Sequence, residues 1–360
     1  MNILHTEMLK RWGGQQNRVL MESAGLQKRG HQVSIACNRG SALAEKARAA
    51  GLRVYEMNMS KEAHLLNILK LIRIIKRDKI DIVSTHSSVD SWAGGIAAKL
   101  TGTKLVRFRH NLYPIGSNPL AKIIYSIPDR IIAISAAIRD LLIQQGIHDD
   151  KLATIYSSVD VQRFDAGDGD IRKEINLPDN TLVIGNTSSF VEAKGQEYLM
   201  QAFNIIGRAV PCILLFAGRA SEPTRSRLML HVDKDLRDRV VFLGHRDDIP
   251  RVIKVFDVFV FASWLEGLGT SLLEAMAMGR PVAVSDIPTF RDFIEDGTNG
   301  LYFKTRDPHD LAEKVITLLQ DKKLREHLGR HARETVLERF TNDRMIAQTE
   351  DMYREVLNVT

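Results

Sequence analysis

Cysteine is nearly absent from this 360-residue chain, which holds only Cys37 and Cys212, each inside an apolar, strand-like run. So sparse a supply excludes a disulfide framework and predicts buried free thiols in a reducing, cytoplasmic setting. Long uncharged apolar runs are missing too. None approaches the roughly 20 residues that a membrane-spanning helix needs. The opening Met1-Asn2-Ile3-Leu4-His5 begins directly as a strand, without the basic and apolar regions of a signal peptide. The expectation is a protein that neither spans a membrane nor is secreted by a signal peptide. After that first strand stands only the pair Gly13-Gly14, not Gly-x-Gly-x-x-Gly, so a nicotinamide or flavin enzyme lacks its phosphate-binding motif. No internal repeat of solenoid period is present.

What the chain does have is apolar residue enough, at 44%, to fill two ordinary domain cores. Its net charge of +6 is unevenly placed. Residues 1–165 hold 24 Lys and Arg against 14 Asp and Glu, whereas the remaining 195 hold 26 against 30. The basic first half implies an anionic partner, be it a membrane surface, a phosphorylated glycolipid or nucleic acid.

Strand-like and helix-like stretches alternate along the chain. Apolar runs at Ile3-Leu4, Val33 to Cys37, Arg53 to Met57, Ile82 to Thr85, Leu105 to Phe108, Ile131 to Ile134 and Ala153 to Tyr156 are separated by helical periodicity at Gln15 to Arg29, His64 to Arg77 and Ala136 to Gln145. That rhythm predicts a doubly wound α/β domain over 1–165. The polar stretch Asp165 to Asp170 interrupts it as a linker. A second such domain follows, with strands at Leu182 to Asn186, Cys212 to Ala217, Val240 to Leu243, Val258 to Phe261 and Val282 to Ser285.

The chemistry-bearing stretch runs from Ser263 to Val282 and contains Glu266 and Glu274, eight positions apart. A buried strand, the tight turn Gly267-Leu268-Gly269 and a helix over Thr270 to Met278 aim a helix N-terminus beyond the strand end. Unpaired N–H groups and the positive end of the helix dipole there favour a phosphate, and the glycines admit it to the main chain. Glu266 can accept hydrogen bonds from sugar hydroxyls, and Glu274 from a ribose. Taken alone, Ser271-x-x-Glu274 also matches a capping box that merely returns a hydrogen bond to the helix start.

Val240 to Phe303 resembles the C-terminal half of family 4 glycosyltransferases, retaining enzymes of the GT-B fold. It carries Glu-x7-Glu at Glu266 and Glu274, then Glu-Ala-Met-Ala-x-Gly-x-Pro-Val, then Glu295-Asp296-Gly297-Thr298-Asn299-Gly300. Weaker echoes are Gly13-Gly14, Ile134-Ser135, Val159-Asp160 with Phe164, Lys194-Gly195, Gly218 and Phe242-Leu243-Gly244. The resemblance implies two Rossmann-like domains facing across a cleft: 1–165, which binds acceptor and is joined by a C-terminal helix within 344–360, and 166–343, which binds a nucleotide sugar. It also implies that Lys194 neutralises the leaving diphosphate and that Gly13, Gly14, Gly218, Gly244, Gly267, Leu268, Gly269, Thr270 and Ser271 line the donor site with Glu266 and Glu274. Where the family has an arginine this chain has Ser189, and Arg219 is a candidate substitute.

His110 ends a strand on the carboxyl edge where open α/β sheets bind ligands, and related enzymes place a histidine there beside the transferred sugar. A lone histidine is more often structural, a margin that the strand-end location and the flanking arginines reduce. Arg107 and Arg109 flank Phe108 and share one face, suited to an acceptor phosphate. His86, at another strand end, is a weaker candidate of the same kind. Asp168-Gly169-Asp170 and Asp233-Lys234-Asp235 match Asp-x-Asp, but the linker and a charged helix end make them solvated acids, so no metal and no cofactor is expected. The helix from His64 to Lys79 combines leucines and isoleucines with Lys70, Arg73, Lys76, Arg77 and Lys79, which fits a packed helix with a basic edge or a contact with an anionic membrane.

The expectation is therefore a lipopolysaccharide-core-like, retaining glycosyltransferase. It takes a nucleotide diphosphate sugar, UDP favoured, to a glycan or lipid-linked acceptor at the inner face of the cell membrane, with no nucleic acid partner. The alternatives are a sugar nucleotide epimerase of the same fold and a catalytically silent protein that binds an anionic ligand.

Overall fold

The computed structural model describes residues 1–60, 64–116, 119–165 and 169–358. Ala166, Gly167 and Asp168, within the stretch expected to be a linker, lie outside the described residues, as do the last two residues of 344–360. The chain forms two compact units, Met1–Ser158 with Asn342–Thr360, and Val159–Thr341. The changeover at residues 158 and 159 precedes the polar stretch at Asp165.

Unit 1 is built on β1 (Asn2–Glu7), β2 (Gln32–Asn38), β3 (Arg53–Met57), β4 (Ile82–Thr85), β5 (Lys104–Arg109), β6 (Arg130–Ala133) and β7 (Leu152–Thr154). The intervening helices are α1 (Gly14–Lys28), α2 (Ala42–Ala49), α3 (His64–Arg77), α4 (Ser88–Thr101), α5 (Pro119–Ser126) and α6 (Ala136–Gln144). All the strands are parallel, in the order β3-β2-β1-β4-β5-β6-β7. Helices on both faces bury the sheet, which is why its strands are runs of apolar residues rather than alternations. In register, Ile3 lies between Val33 and Ile82.

Unit 2 contains α7 (Val161–Asp165), β8 (Leu182–Thr187), α8 (Gln196–Ala209), β9 (Cys212–Ala217), α9 (Glu222–Met229), β10 (Val240–Phe242), α10 (Ile249–Lys254) and β11 (Val258–Phe261). It continues through α11 (Thr270–Ala277), β12 (Val282–Ser285), α12 (Pro288–Arg291), β13 (Leu301–Phe303), α13 (Pro308–Gln320) and α14 (Lys322–Arg339). Its parallel order is β10-β9-β8-β11-β12-β13. Three-residue β13 has too short an apolar run to stand out in the sequence. The last helix, α15 (Asn342–Asn358), returns to unit 1, where Met345, Ile346, Met352, Tyr353 and Val356 join the core beside Val19, Leu26 and Ile35.

Strand order reverses between β1 and β4 in one sheet and between β8 and β11 in the other. Such switch points part the loops at the strands' carboxyl ends and leave room for a ligand.

Candidate functional site

In unit 2 the loops after β8 and β11 are tied together. The Trp264 N–H donates to the Ala193 carbonyl at 3.0 Å, and the Trp264 indole N–H donates to the Glu192 carbonyl at 3.2 Å. Gly195 has φ +63°, and a Cβ there would lie 2.1 Å from the Ala262 carbonyl oxygen, so only glycine lets the loops approach this closely. The outcome is that Lys194 and Glu266, 72 positions apart, form an ion pair, with the ammonium also 5.3 Å from the Phe261 ring centre.

The Glu266 main chain is fixed as well, its carbonyl accepting from the buried Thr289 hydroxyl at 2.8 Å. Past it, Leu268 is buried and Gly269 turns into α11 at φ +89°, where a Cβ would lie 3.0 Å from the Phe290 ring and 3.1 Å from the Phe261 ring. No side chain among the described residues caps this helix and its first turn has no acid. The N-cap is Gly269, so Ser271-x-x-Glu274 does not form a capping box, and Thr270 and Ser271 present their backbone at an uncapped terminus. Glu274 is partly buried on α11 and its carboxyl is pushed up to about 7, chiefly by burial, with Arg163 opposing.

Gly218 and Gly244 meet beside this region, the Gly218 N–H donating to the Gly244 carbonyl at 2.8 Å. A Cβ on Gly218 would lie 2.2 Å from the Ser188 carbonyl oxygen. Arg219 and Ser189 are exposed. Sequence reasoning passed over Arg225. Its guanidinium lies 5.8 Å from the Phe242 ring centre and next to Gly244, with Nε buried and without a hydrogen-bond partner among the described residues. An arginine in a polar helical stretch gives no sequence signal of that setting, nor does Thr289, 23 residues beyond the glutamate it holds.

Unit 1 gathers its candidates at the β1, β4 and β5 ends. Gly13 and Gly14 are exposed at the start of α1, another helix without a side-chain cap or an acid in its first turn. His110 is partly buried, and His86 is buried behind it with a 3.1 Å contact between the rings. His86 thus backs His110 rather than facing a ligand. Arg107 and Arg109 do lie to one side, both over the Tyr125 ring, at 3.7 and 5.9 Å. Arg107 is buried there and donates to the Ile124 carbonyl at 3.4 Å, whereas Arg109 is partly exposed and bonded to the Tyr113 carbonyl. Burial lowers the pKa of His86 and of His110 well below the ordinary histidine value. At the end of β1, buried Glu7 is raised to about 8, by desolvation first and then by the neighbouring Asp90, and buried Asp90 is raised to about 6 by desolvation.

Asp233 and Asp235 pair with Arg208 at 2.6 and 3.6 Å. Cys37 and Cys212 are free and buried. No helix among the described residues is long and apolar enough to cross a membrane.

Residues 168–335 match the family described as Glycosyl transferases group 1, and residues 12–163 match Glycosyltransferase Family 4. The chain is 23% identical to the UDP-Gal:alpha-D-GlcNAc-diphosphoundecaprenol alpha-1,3-galactosyltransferase of Escherichia coli, covering 99% of this chain and 97% of that one. It is 26% identical to the N-acetyl-alpha-D-glucosaminyl L-malate synthase of Bacillus anthracis, over 80% and 78%. A glycosyltransferase from Rickettsia africae superposes with a TM-score of 0.92 at 23% identity, over 100% and 99% of the two chains. Anabaena HepE, solved with UDP and glucose, gives 0.88 at 20% identity over 99% and 100%.

Proposed function

The chain is a glycosyltransferase of the GT-B fold, and we propose that it moves a sugar from a UDP-sugar to a hydroxyl of a glycan or lipid-linked acceptor of the cell envelope, with retention at the anomeric carbon. The observation that carries this reading is the Lys194–Glu266 pair beside the uncapped N-terminus of α11. Lys194 and the α11 amides supply positive charge for a diphosphate, Glu266 accepts from hydroxyls of the transferred sugar, and Glu274 accepts from the ribose. Arg225 adds a cation on the side where the family arginine is replaced by Ser189. The relative from Escherichia coli, whose name gives a UDP-galactose donor and a lipid-diphosphate acceptor, supports the substrate classes.

Acceptor binding falls to unit 1, with Arg109 as the accessible cation and His110 at the sugar. In the step itself the bond from the anomeric carbon to the phosphate oxygen breaks as the acceptor oxygen bonds to the same face. The departing phosphate oxygen takes the acceptor proton. No protein nucleophile enters, so rate comes from orientation and from charge placed where the phosphate develops it. Lys194 and α11 do that work, and chelator is expected to leave the rate nearly unchanged. Loss of activity in chelator, restored by magnesium or manganese, contradicts this.

The test is release of UDP from purified protein with and without a lipid-linked acceptor, preceded by thermal-shift screening of nucleotide sugars, since a ligand of the folded state raises the midpoint. Acceptor-dependent release supports transfer. Release that continues without acceptor, alongside free sugar nucleotide conversion, selects the epimerase, and no stabilisation by any nucleotide sugar removes the donor site.

A further inference from the structure

Behind His110 stands a file of imidazoles that transfer alone does not require. His110 Nε2 lies 3.1 Å from His86 Nδ1, and His86 Nε2 lies 2.9 Å from His5 Nδ1. Phe108 stacks on both His86 and His110. At the inner end His5 Nε2, with no hydrogen-bond partner among the described residues, is 3.9 Å from Glu22 Oε1. Glu22 is completely buried, held by Arg18 at 3.3 Å and by the Tyr353 hydroxyl at 3.3 Å. Arg18 is itself fixed by the Ile155 carbonyl at 2.7 Å and the Ser157 hydroxyl at 3.2 Å.

Burial, together with the charge of Arg18, lowers the pKa of all three histidines, that of His5 to about 3, so each carries one proton at neutral pH. A neutral imidazole has one N–H donor and one lone pair. Two donors or two lone pairs facing each other at about 3 Å inside a protein leave a buried polar atom unsatisfied, which disfavours that arrangement. Only two arrangements of the file avoid that. Either every N–H points inward toward Glu22, and His110 is left with a bare lone pair on Nδ1, or every N–H points outward, and the His5 lone pair faces the carboxylate. Burial raises the Glu22 carboxyl, but the Arg18 ion pair and the hydrogen bond donated by Tyr353 oppose that and favour the carboxylate, which attracts an N–H, repels a lone pair and so selects the first.

We propose that Glu22, through His5 and His86 as positioning residues, fixes His110 as the Nε2–H tautomer, so that its Nδ1 is a hydrogen-bond acceptor and selects a sugar bearing a hydroxyl, not a carboxylate, at that point. The specificity half rests on the donor-sugar role given to His110 above; the tautomer half does not. A hydroxyl donates to Nδ1, whereas a uronate carboxylate has no proton to give and meets lone pair with charge.

Two measurements decide it. Nitrogen-15 spectra of histidine-labelled protein at neutral pH, with the His110 signals assigned by their loss in His110→Gln, should show a pyrrole-type Nε2 and a pyridine-type Nδ1. The reverse tautomer, or an imidazolium, overturns the proposal. In His86→Phe, which keeps an aromatic ring in the stack, the His110 signals should move toward a tautomer mixture; signals unchanged in a folded His86→Phe protein also overturn it. Separately, UDP-glucose should bind at least tenfold more tightly than UDP-glucuronate, and His110→Gln should narrow that ratio. Equal affinities sink the specificity half. Binding of neither nucleotide sugar would discredit the donor-site reading and leave the spectra to decide the file.

Discussion

Glu274 shows how a residue's surroundings set the conditions under which it can act. A carboxyl pushed up to about 7 by burial is about half protonated at neutral pH, and only the ionised form accepts from both ribose hydroxyls. If the bound ribose stabilises the carboxylate, binding releases a proton below that value. Affinity for UDP-glucose should then be level above about pH 7.5 and fall as pH drops below 7, approaching tenfold per unit at the limit. Glu274→Gln should bind more weakly at pH 8 and lose the slope. Calorimetry across pH 5.5 to 8 checks both, and a wild-type slope shared by the variant would discard the ribose contact. For the Lys194–Glu266 pair, Glu266→Ala should mainly slow turnover by misplacing the sugar. Because the freed Lys194 still serves the diphosphate, adding Lys194→Ala should slow the double variant well below either single one, whereas a double variant no worse than the poorer single one would mean that the two act only as a pair.

At the scale of elements, Gly195 decides whether two loops can meet. Gly195→Ala drives a methyl into the Ala262 carbonyl at positive φ, and the expected loss of stability is about 3 kcal/mol or more. Denaturant unfolding measures it, and a loss under 1 kcal/mol would mean the loop after β8 moves freely and that Lys194 is not held. Helix α3 poses a question of a different kind. Its buried face is Asn67, Leu71, Ile74 and Ile75, while Leu65, Leu66 and Leu69 are exposed at 70%, 62% and 45% on the side that carries Lys70, Arg73 and Arg77. If these leucines and cations meet an anionic membrane surface, reversal of Lys70, Arg73 and Arg77 to Glu should reduce sedimentation with anionic vesicles, an effect salt also produces. Because Arg77 also packs on Tyr55, Lys70→Glu with Arg73→Glu serves as the control that leaves this contact intact. Equal vesicle binding by all forms returns α3 to a plain packed helix.

At the scale of the molecule, the chain's last helix belongs with its first. Met345, Ile346, Met352 and Val356 are buried in the core of unit 1, each worth about 2 kcal/mol on burial. Their sum is comparable to the 5–15 kcal/mol that holds a typical domain folded. A chain ending at Thr341 should therefore lose the protection of α1 and β2 in hydrogen exchange while β8 and β11 stay protected. Uniform protection in the truncated chain would contradict this.

The alternation of apolar runs and helical periods was legible because a parallel strand buried on both faces must be apolar, and an amphipathic helix must repeat every 3.6 residues. From that alone came two doubly wound sheets, and from Phe256 to Met278 came a strand, a turn and a helix start. These depend on neighbours in the chain. Periodicity could not supply β13, too short to show it, nor that Glu274 stands outside any capping box, since the register of a helix start shifts by a residue or two with its packing. Which distant residues meet was also out of reach. Lys194 finds Glu266 because Gly195 lets two loops touch, His86 is sealed behind His110 because β1, β4 and β5 are neighbours in the sheet, and Arg107 turns inward onto Tyr125. Elements and the kinds of chemistry they carry follow from local chain order, whereas partners, burial and protonation are settled by packing, because those depend on distances between residues that the chain order leaves free.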